Sequence, residues 1–216
     1  MKYSLAVFDM DGTILNTLED LKDSLNFALN SAGYKERTLS EVRSFVGNGV
    51  RKLVERGMPL GAGADATDKV FTLFSEYYAF HSAIKTRPYE GIVELLSALK
   101  AASVKLAVVS NKPDAAVHAL CDKYFAGLFD AAVGECAGIA RKPAPDSVLA
   151  VLVRLGVKKE NAVYIGDSEV DIATAQNSKL DCIAVDWGFR DADFLAACGA
   201  DIIVSSADAV RRYILD

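Results

Sequence analysis

Histidine is scarce in this chain, with His81 and His118 as its two copies, and the four cysteines Cys121, Cys136, Cys182 and Cys198 form no CxxC pair. No His/Cys cluster accompanies the acidic residues, which argues against a zinc site. The cysteines read as reduced, buried small hydrophobes of a cytoplasmic protein rather than a redox pair. A basic excess is also missing: 24 Lys and Arg stand against 29 Asp and Glu, for a net charge of -5. That balance argues against a nucleic-acid binder. No apolar run is long enough to span a bilayer, and Met1-Lys2-Tyr3 leads into the first strand without a signal-peptide pattern. Internal repeats and low-complexity tracts are absent as well. What remains is an ordinary globular composition, 51% hydrophobic and 25% charged over 216 residues. That length suffices for one core with a small insertion.

The most informative segment is Leu5-Ala6-Val7-Phe8-Asp9-Met10-Asp11-Gly12-Thr13, an apolar run leading into two carboxylates one residue apart. A short continuous apolar run reads as a buried strand. Residues two apart on a strand point the same way, so extended geometry beyond Phe8 would turn Asp9 and Asp11 toward one point. Gly12 then permits a sharp turn. An Asp-x-Asp-Gly surface turn is the plain alternative for this segment alone.

From Leu18 to Ala32 apolar residues recur at helical spacing, with Gly33 as a stop. Further helices are expected over Ser40–Phe45, Val50–Arg56 and Asp65–Ala83, with no convincing strand between Asn16 and Lys85. After Pro88 and Gly91, a helix over Ile92–Ala101 precedes strands at Lys105–Val109, Ala131–Val133, Ala162–Ile165, Cys182–Val185 and Ile202–Val204. Helical segments separate those strands, which implies a parallel sheet covered on both faces. The expected fold is therefore α/β: a doubly wound parallel sheet of the Rossmann kind, residues 1–15 and 86–216, with an inserted all-helical cap at 16–85.

Parallel strands present their carboxyl ends on one edge, where open sheets bind ligands. That edge would gather Asp9 and Asp11, Ser110 and Asn111, Lys142, and Asp167 and Asp171. Two like charges 4 Å apart repel by roughly 4 kcal/mol at an effective dielectric near 20. The four acids therefore need a counter-charge or a retained proton, and a hard divalent cation such as Mg²⁺ suits oxygen ligands. Each piece has a plain alternative. Ser110-Asn111 would cap a helix near Pro113, Lys142 would be a solvated lysine, and Asp167, Ser168 and Asp171 would start the next helix.

Together, Asp9-Met10-Asp11-Gly12-Thr13, Ser110-Asn111-Lys112, Lys142-Pro143 and Gly166-Asp167-Ser168-Glu169-Val170-Asp171 resemble the four ordered motifs of the haloacid dehalogenase-like hydrolases. Ser44-Phe45-Val46-Gly47-Asn48-Gly49 with Leu53-Val54-Glu55-Arg56 extends the resemblance toward phosphoglycolate phosphatases. The resemblance implies Asp9 as nucleophile and Asp11 as acid and then base. It implies phosphate binding by Ser110, the Asn111 backbone and Lys142. Magnesium would be held by Asp9, the Asp11 carbonyl and Asp167, with Asp171 acting directly or through water. The implied partner is a small phosphorylated metabolite, with no nucleic acid or membrane, and monomer and homodimer both remain open. Arg43, Gly47, Asn48 and Gly49 are candidates for reading the substrate, though a helix–helix turn explains the glycines equally well.

Competing activities are a beta-phosphoglucomutase-like mutase, a phosphonate hydrolase using Lys52, and a non-catalytic binding module. A haloacid dehalogenase is disfavoured because halide displacement gives Asp11 no oxygen to protonate.

Overall fold

A computed structural model describes residues 2–47 and 49–216, so Asn48 lies outside the described residues. The chain divides into two units, Met1–Leu15 with Pro88–Asp216, and Asn16–Arg87. β1 (Leu5–Phe8) is buried along its whole length. The chain leaves the first unit through β2 (Leu15–Asn16), builds α1 (Leu18–Ser31), α2 (Leu39–Phe45), α3 (Gly49–Gly57) and α4 (Ala64–His81), and returns through β3 (Arg87–Pro88).

Within the helical unit the pairing of α1 with α4 is the most extensive. Leu21, Leu25, Ala28 and Leu29 of α1 and Val70, Phe74 and Tyr78 of α4 supply its buried faces. A capping box starts α2, in which Thr38 Oγ1 accepts from the Glu41 amide while the Thr38 amide donates to Glu41. Buried Asp20 accepts from the amides of Ile84, Lys85 and Thr86 at 3.1, 3.0 and 2.8 Å, and so fixes the end of this unit.

The rest alternates: α5 (Ile92–Ala101), β4 (Lys105–Pro113), α6 (Asp114–Phe125), β5 (Ala131–Glu135), α7 (Asp146–Leu155), β6 (Ala162–Gly166), α8 (Glu169–Ser178), β7 (Asp181–Val185), α9 (Ala192–Ala197), β8 (Ile203–Val204) and α10 (Ala207–Leu215). The strands form one parallel sheet in the order β5-β4-β1-β6-β7-β8, the doubly wound arrangement expected. Chain order reverses around β1, which makes its carboxyl end the switch point where such sheets bind ligands. Phe8 pairs with Val108 on one side and Ile165 on the other, so the residues that follow all three strands emerge side by side.

Two local expectations change. β4 runs on to Pro113 rather than ending at Val109, with a register shift against β5 between those residues. The longer strand puts Ser110 and Lys112 on one face of extended backbone. All four cysteines are free, but Cys121 alone is buried; Cys136 is exposed in the loop after β5, and Cys182 and Cys198 are half-buried. Among the described residues no helix is long and apolar enough to cross a membrane.

Candidate active site

Asp9 follows β1, and its amide donates to the Ile165 carbonyl at 2.8 Å, continuing the ladder one residue past the strand. Beyond it the backbone turns. The Met10 carbonyl accepts from the amides of Thr13, Ile14 and Leu15 at 3.3, 3.1 and 3.0 Å. Gly12 sits at φ +95°, and a Cβ there would collide with the Asp167 carboxylate. Gly188, in the loop after β7, approaches the same carboxylate as closely.

Asp9, Asp167 and Asp171 are all buried, and one carboxylate oxygen from each lies within 4.8 Å of the others. Asp167 is held by the Thr13 hydroxyl at 3.0 Å and the Phe189 amide at 2.7 Å. Trp187 donates from Nε1 to the Thr13 carbonyl at 3.0 Å, which fastens the loop after β7 to the turn after β1. Asp171, in the first turn of α8, accepts at Oδ2 from the amides of Asp167 and Ser168 at 3.2 and 3.1 Å and from the Ser168 hydroxyl at 2.6 Å.

Lys142 stands among these acids. Its ammonium donates to Asp9 Oδ1 at 2.6 Å, Asp171 Oδ1 at 2.8 Å and the Tyr164 hydroxyl at 3.0 Å. Asn111 secures the loop that delivers it, donating to the Lys142 carbonyl at 3.0 Å and accepting from the Lys142 amide at 2.9 Å. Lys142 is thus a buried, ion-paired residue and not a solvated one. Ser110 is buried nearby on β4 and accepts from the Lys112 amide at 3.2 Å.

Asp11 does not join the buried trio. The period-two expectation holds only while the backbone is extended, and here the chain has already turned. The Asp11 carboxylate instead accepts from Lys112 Nζ at 3.0 and 3.3 Å. Its charge remains close enough to push Asp9 upward.

These strand ends carry the motif residues in the order expected of one known group of hydrolases. The chain matches the family described as haloacid dehalogenase-like hydrolase over residues 6–185. It belongs to that family. A phosphoglycolate phosphatase of Agrobacterium fabrum is 33% identical over 218 residues, covering 98% of this chain and 92% of that protein. A solved structure from Lactobacillus delbrueckii subsp. bulgaricus, provisionally described as a phosphoglycolate phosphatase, is 43% identical, with a TM-score of 0.95 over 100% of this chain and 99% of the other. CbbY of Rhodobacter sphaeroides, solved in complex with phosphate, is 26% identical, with a TM-score of 0.72 over 95% of each chain.

In this haloacid dehalogenase-like hydrolase the acids are short of positive charge. Burial raises the Asp9 carboxyl from the usual 3.8 to about 7, with the Lys142 ammonium pulling it down and Asp171 and Asp11 pushing it up. Asp167 is raised well above the ordinary range by burial and by the charges of Asp171 and Asp9, against the pull of the Phe189 and Thr13 hydrogen bonds. Burial alone would lower Lys142, but the carboxylates of Asp171 and Asp9 outweigh it and keep the ammonium protonated. Three carboxylates against one ammonium, all of them oxygen donors, fit a hard divalent cation.

An acid whose folded pKa lies above its unfolded one stabilises the fold while protonated, and that contribution is lost as pH rises through the folded value. For Asp9 the window runs from about 4 to about 7, and for Asp167 it extends higher. Without divalent cations, thermal unfolding should therefore occur at lower temperature at about pH 8 than at about pH 5, and added Mg²⁺ should reverse most of the loss at the higher pH. A chelated protein that melts higher at the alkaline end would contradict this.

In the helical unit, Gly47 (φ +122°) and Gly49 (φ +78°) both occupy backbone space that favours glycine, so the turn between α2 and α3 accounts for them without a ligand. Arg43 is exposed near the end of α2. Lys52 is more than half exposed and pairs with Glu55 at 2.6 Å, far from the desolvated setting that makes a lysine nucleophilic. That removes the support for a phosphonate hydrolase.

Sequence reasoning gave no role to Lys112, Tyr164 or the Asn111 side chain. The signals for the first two were present. Lys112 lies two residues beyond Ser110, and a tyrosine in a fully apolar strand must find a partner for its hydroxyl.

Proposed function

We propose that this hydrolase of phosphoric monoesters acts on a small metabolite, with 2-phosphoglycolate as the first candidate, through an aspartyl-phosphate on Asp9. The observation that carries the reading is the meeting of buried Asp9, Asp167 and Asp171 at the sheet's switch point, with Asp9 and Asp171 paired to the Lys142 ammonium. A structural salt bridge would need one acid per lysine; three buried acids, with the carboxyls of Asp9 and Asp167 raised, belong to a site built for a further cation and an anionic substrate.

Asp9 attacks phosphorus, and one of its oxygens is already fixed by Lys142. Asp11 protonates the departing oxygen, then as carboxylate takes a proton from the water that breaks the acyl phosphate. Ser110, the Asn111 amide and Lys142 stabilise charge developing on the transferring oxygens. Asp9, the Asp11 carbonyl and Asp167 would hold magnesium, with Asp171 behind them directly or through water. When bound, that ion supplies positive charge that offsets repulsion between the anionic nucleophile and the anionic phosphate. The helical unit serves as a cap that reads the substrate beyond its phosphate, with Arg43 and the segment Gly47-Asn48-Gly49 as contributors.

The names of the related phosphoglycolate phosphatases support the choice of substrate. With Mg²⁺ and a panel of phosphorylated metabolites, phosphate release with the highest kcat/KM on 2-phosphoglycolate is expected. Sugar phosphates rearranged without phosphate release would favour the mutase. No release from any ester would revive the binding module.

A further inference from the structure

Tyr164 is a buried ionisable group in contact with the acid site to which the mechanism assigns no role. Its ring is fully buried in β6, packed in the cluster that contains Val7, Val109, Val148, Val151 and Ala175. The hydroxyl reaches out of this apolar layer into the acid site. It accepts from Lys142 Nζ at 3.0 Å and donates to Asp171 Oδ1 at 3.1 Å. Lys142 in turn donates to that same Asp171 oxygen at 2.8 Å, closing a triangle of three polar atoms.

An ammonium has three donors, and Asp9, Asp171 and Tyr164 take all three. Two carboxylates alone leave a long, flexible lysine free to pivot about the line that joins them. A third contact from a rigid strand removes that freedom. The phenol is also the one neutral partner, so it fixes direction without adding another negative charge to a site already rich in them.

Resting on the phosphatase reading above, we propose that Tyr164 is a positioning residue. Its hydroxyl fixes the Lys142 ammonium and the Asp171 carboxylate so that Lys142 holds Asp9 in one orientation and keeps its positive charge in one place beside the transferring phosphoryl group. The contribution acts on the transition state more than on substrate binding, because small displacements of a charge-stabilising group are felt most where charge develops.

Tyr164→Phe tests this, since it removes one oxygen and keeps the ring's packing. The probes are p-nitrophenyl phosphate with Mg²⁺ and orthovanadate, whose geometry mimics the transferring phosphoryl group. The variant should lose between about tenfold and a hundredfold in kcat, lose vanadate affinity in step, and keep KM within about threefold. Its melting temperature should stay near that of the wild type. Tyr164→Met, which fills the space with a flexible apolar chain, makes the same comparison should the phenylalanine variant not fold.

Three results would overturn the proposal. The first is kcat and vanadate affinity both within about twofold of wild type. The second is a loss confined to KM. The third is a loss recovered on cooling together with a lowered melting temperature, which marks a structural role. A wild-type protein that hydrolyses no phosphomonoester fails the phosphatase reading and takes this proposal with it. Wild-type turnover with unaltered variants fails this proposal alone.

Discussion

Asp9→Asn should lower phosphatase turnover by on the order of 10⁴-fold or more while leaving the protein folded, because removing a covalent nucleophile costs most of the catalytic acceleration. The geometry separates those two effects. Asp9 is buried, and its carboxyl is pushed up to about 7, so the charged form is held in place against the cost of burial. A neutral amide of the same shape removes that cost. Lys142 would keep Asp171 and Tyr164 as partners, so the variant would not strand a buried ammonium. Thermal unfolding and phosphate release, measured on the same preparation, give the comparison. Mass spectrometry of the peptide carrying position 9 excludes reversion of the asparagine to aspartate. Near-normal turnover in a verified Asp9→Asn protein would remove the covalent mechanism.

Exhaustive chelation should reduce turnover at least about a hundredfold, and Mg²⁺ should restore it. The expectation comes from charge rather than from motif. Within the trio of Asp9, Asp167 and Asp171, Lys142 supplies one positive charge, while Lys112 is paired with Asp11. An incoming phosphate dianion would add to a site where burial and mutual repulsion already raise Asp9 and Asp167. The competing outcome is that protons replace the cation, which would leave Asp9 neutral and a poor nucleophile. Phosphate release assayed before chelation, after it, and after readdition decides between them. Undiminished activity in the chelated protein would show that the Lys142 ammonium supplies enough positive charge without a metal ion.

Much of this site is legible in the chain itself. The run Leu5–Phe8 marks a buried strand, and the alternation after Lys85 implies parallel neighbours, so their carboxyl ends must share an edge. What the alternation cannot give is the direction of side chains once a strand has ended. Asp11 illustrates this: the turn after Met10 breaks the period of two, and its carboxylate meets a lysine 101 positions away. Asn111 shows the same limit, since its side chain fastens the backbone of Lys142, 31 positions on, in place of capping a local helix. Tyr164 reads as core from its apolar neighbours, and its ring is indeed core; only the packed structure reveals where the hydroxyl ends. Long-range polar contacts of this kind leave little periodic trace, because single residues satisfy them.

The stereochemical course at phosphorus separates transfer through Asp9 from direct attack by water. A phosphorothioate substrate made chiral at phosphorus with two oxygen isotopes, hydrolysed in water carrying the third, should yield inorganic thiophosphate of retained configuration, since transfer to Asp9 and then to water inverts the centre twice. Inversion would mean that water attacks the ester in one step, leaving Asp9 as a mere ligand or base.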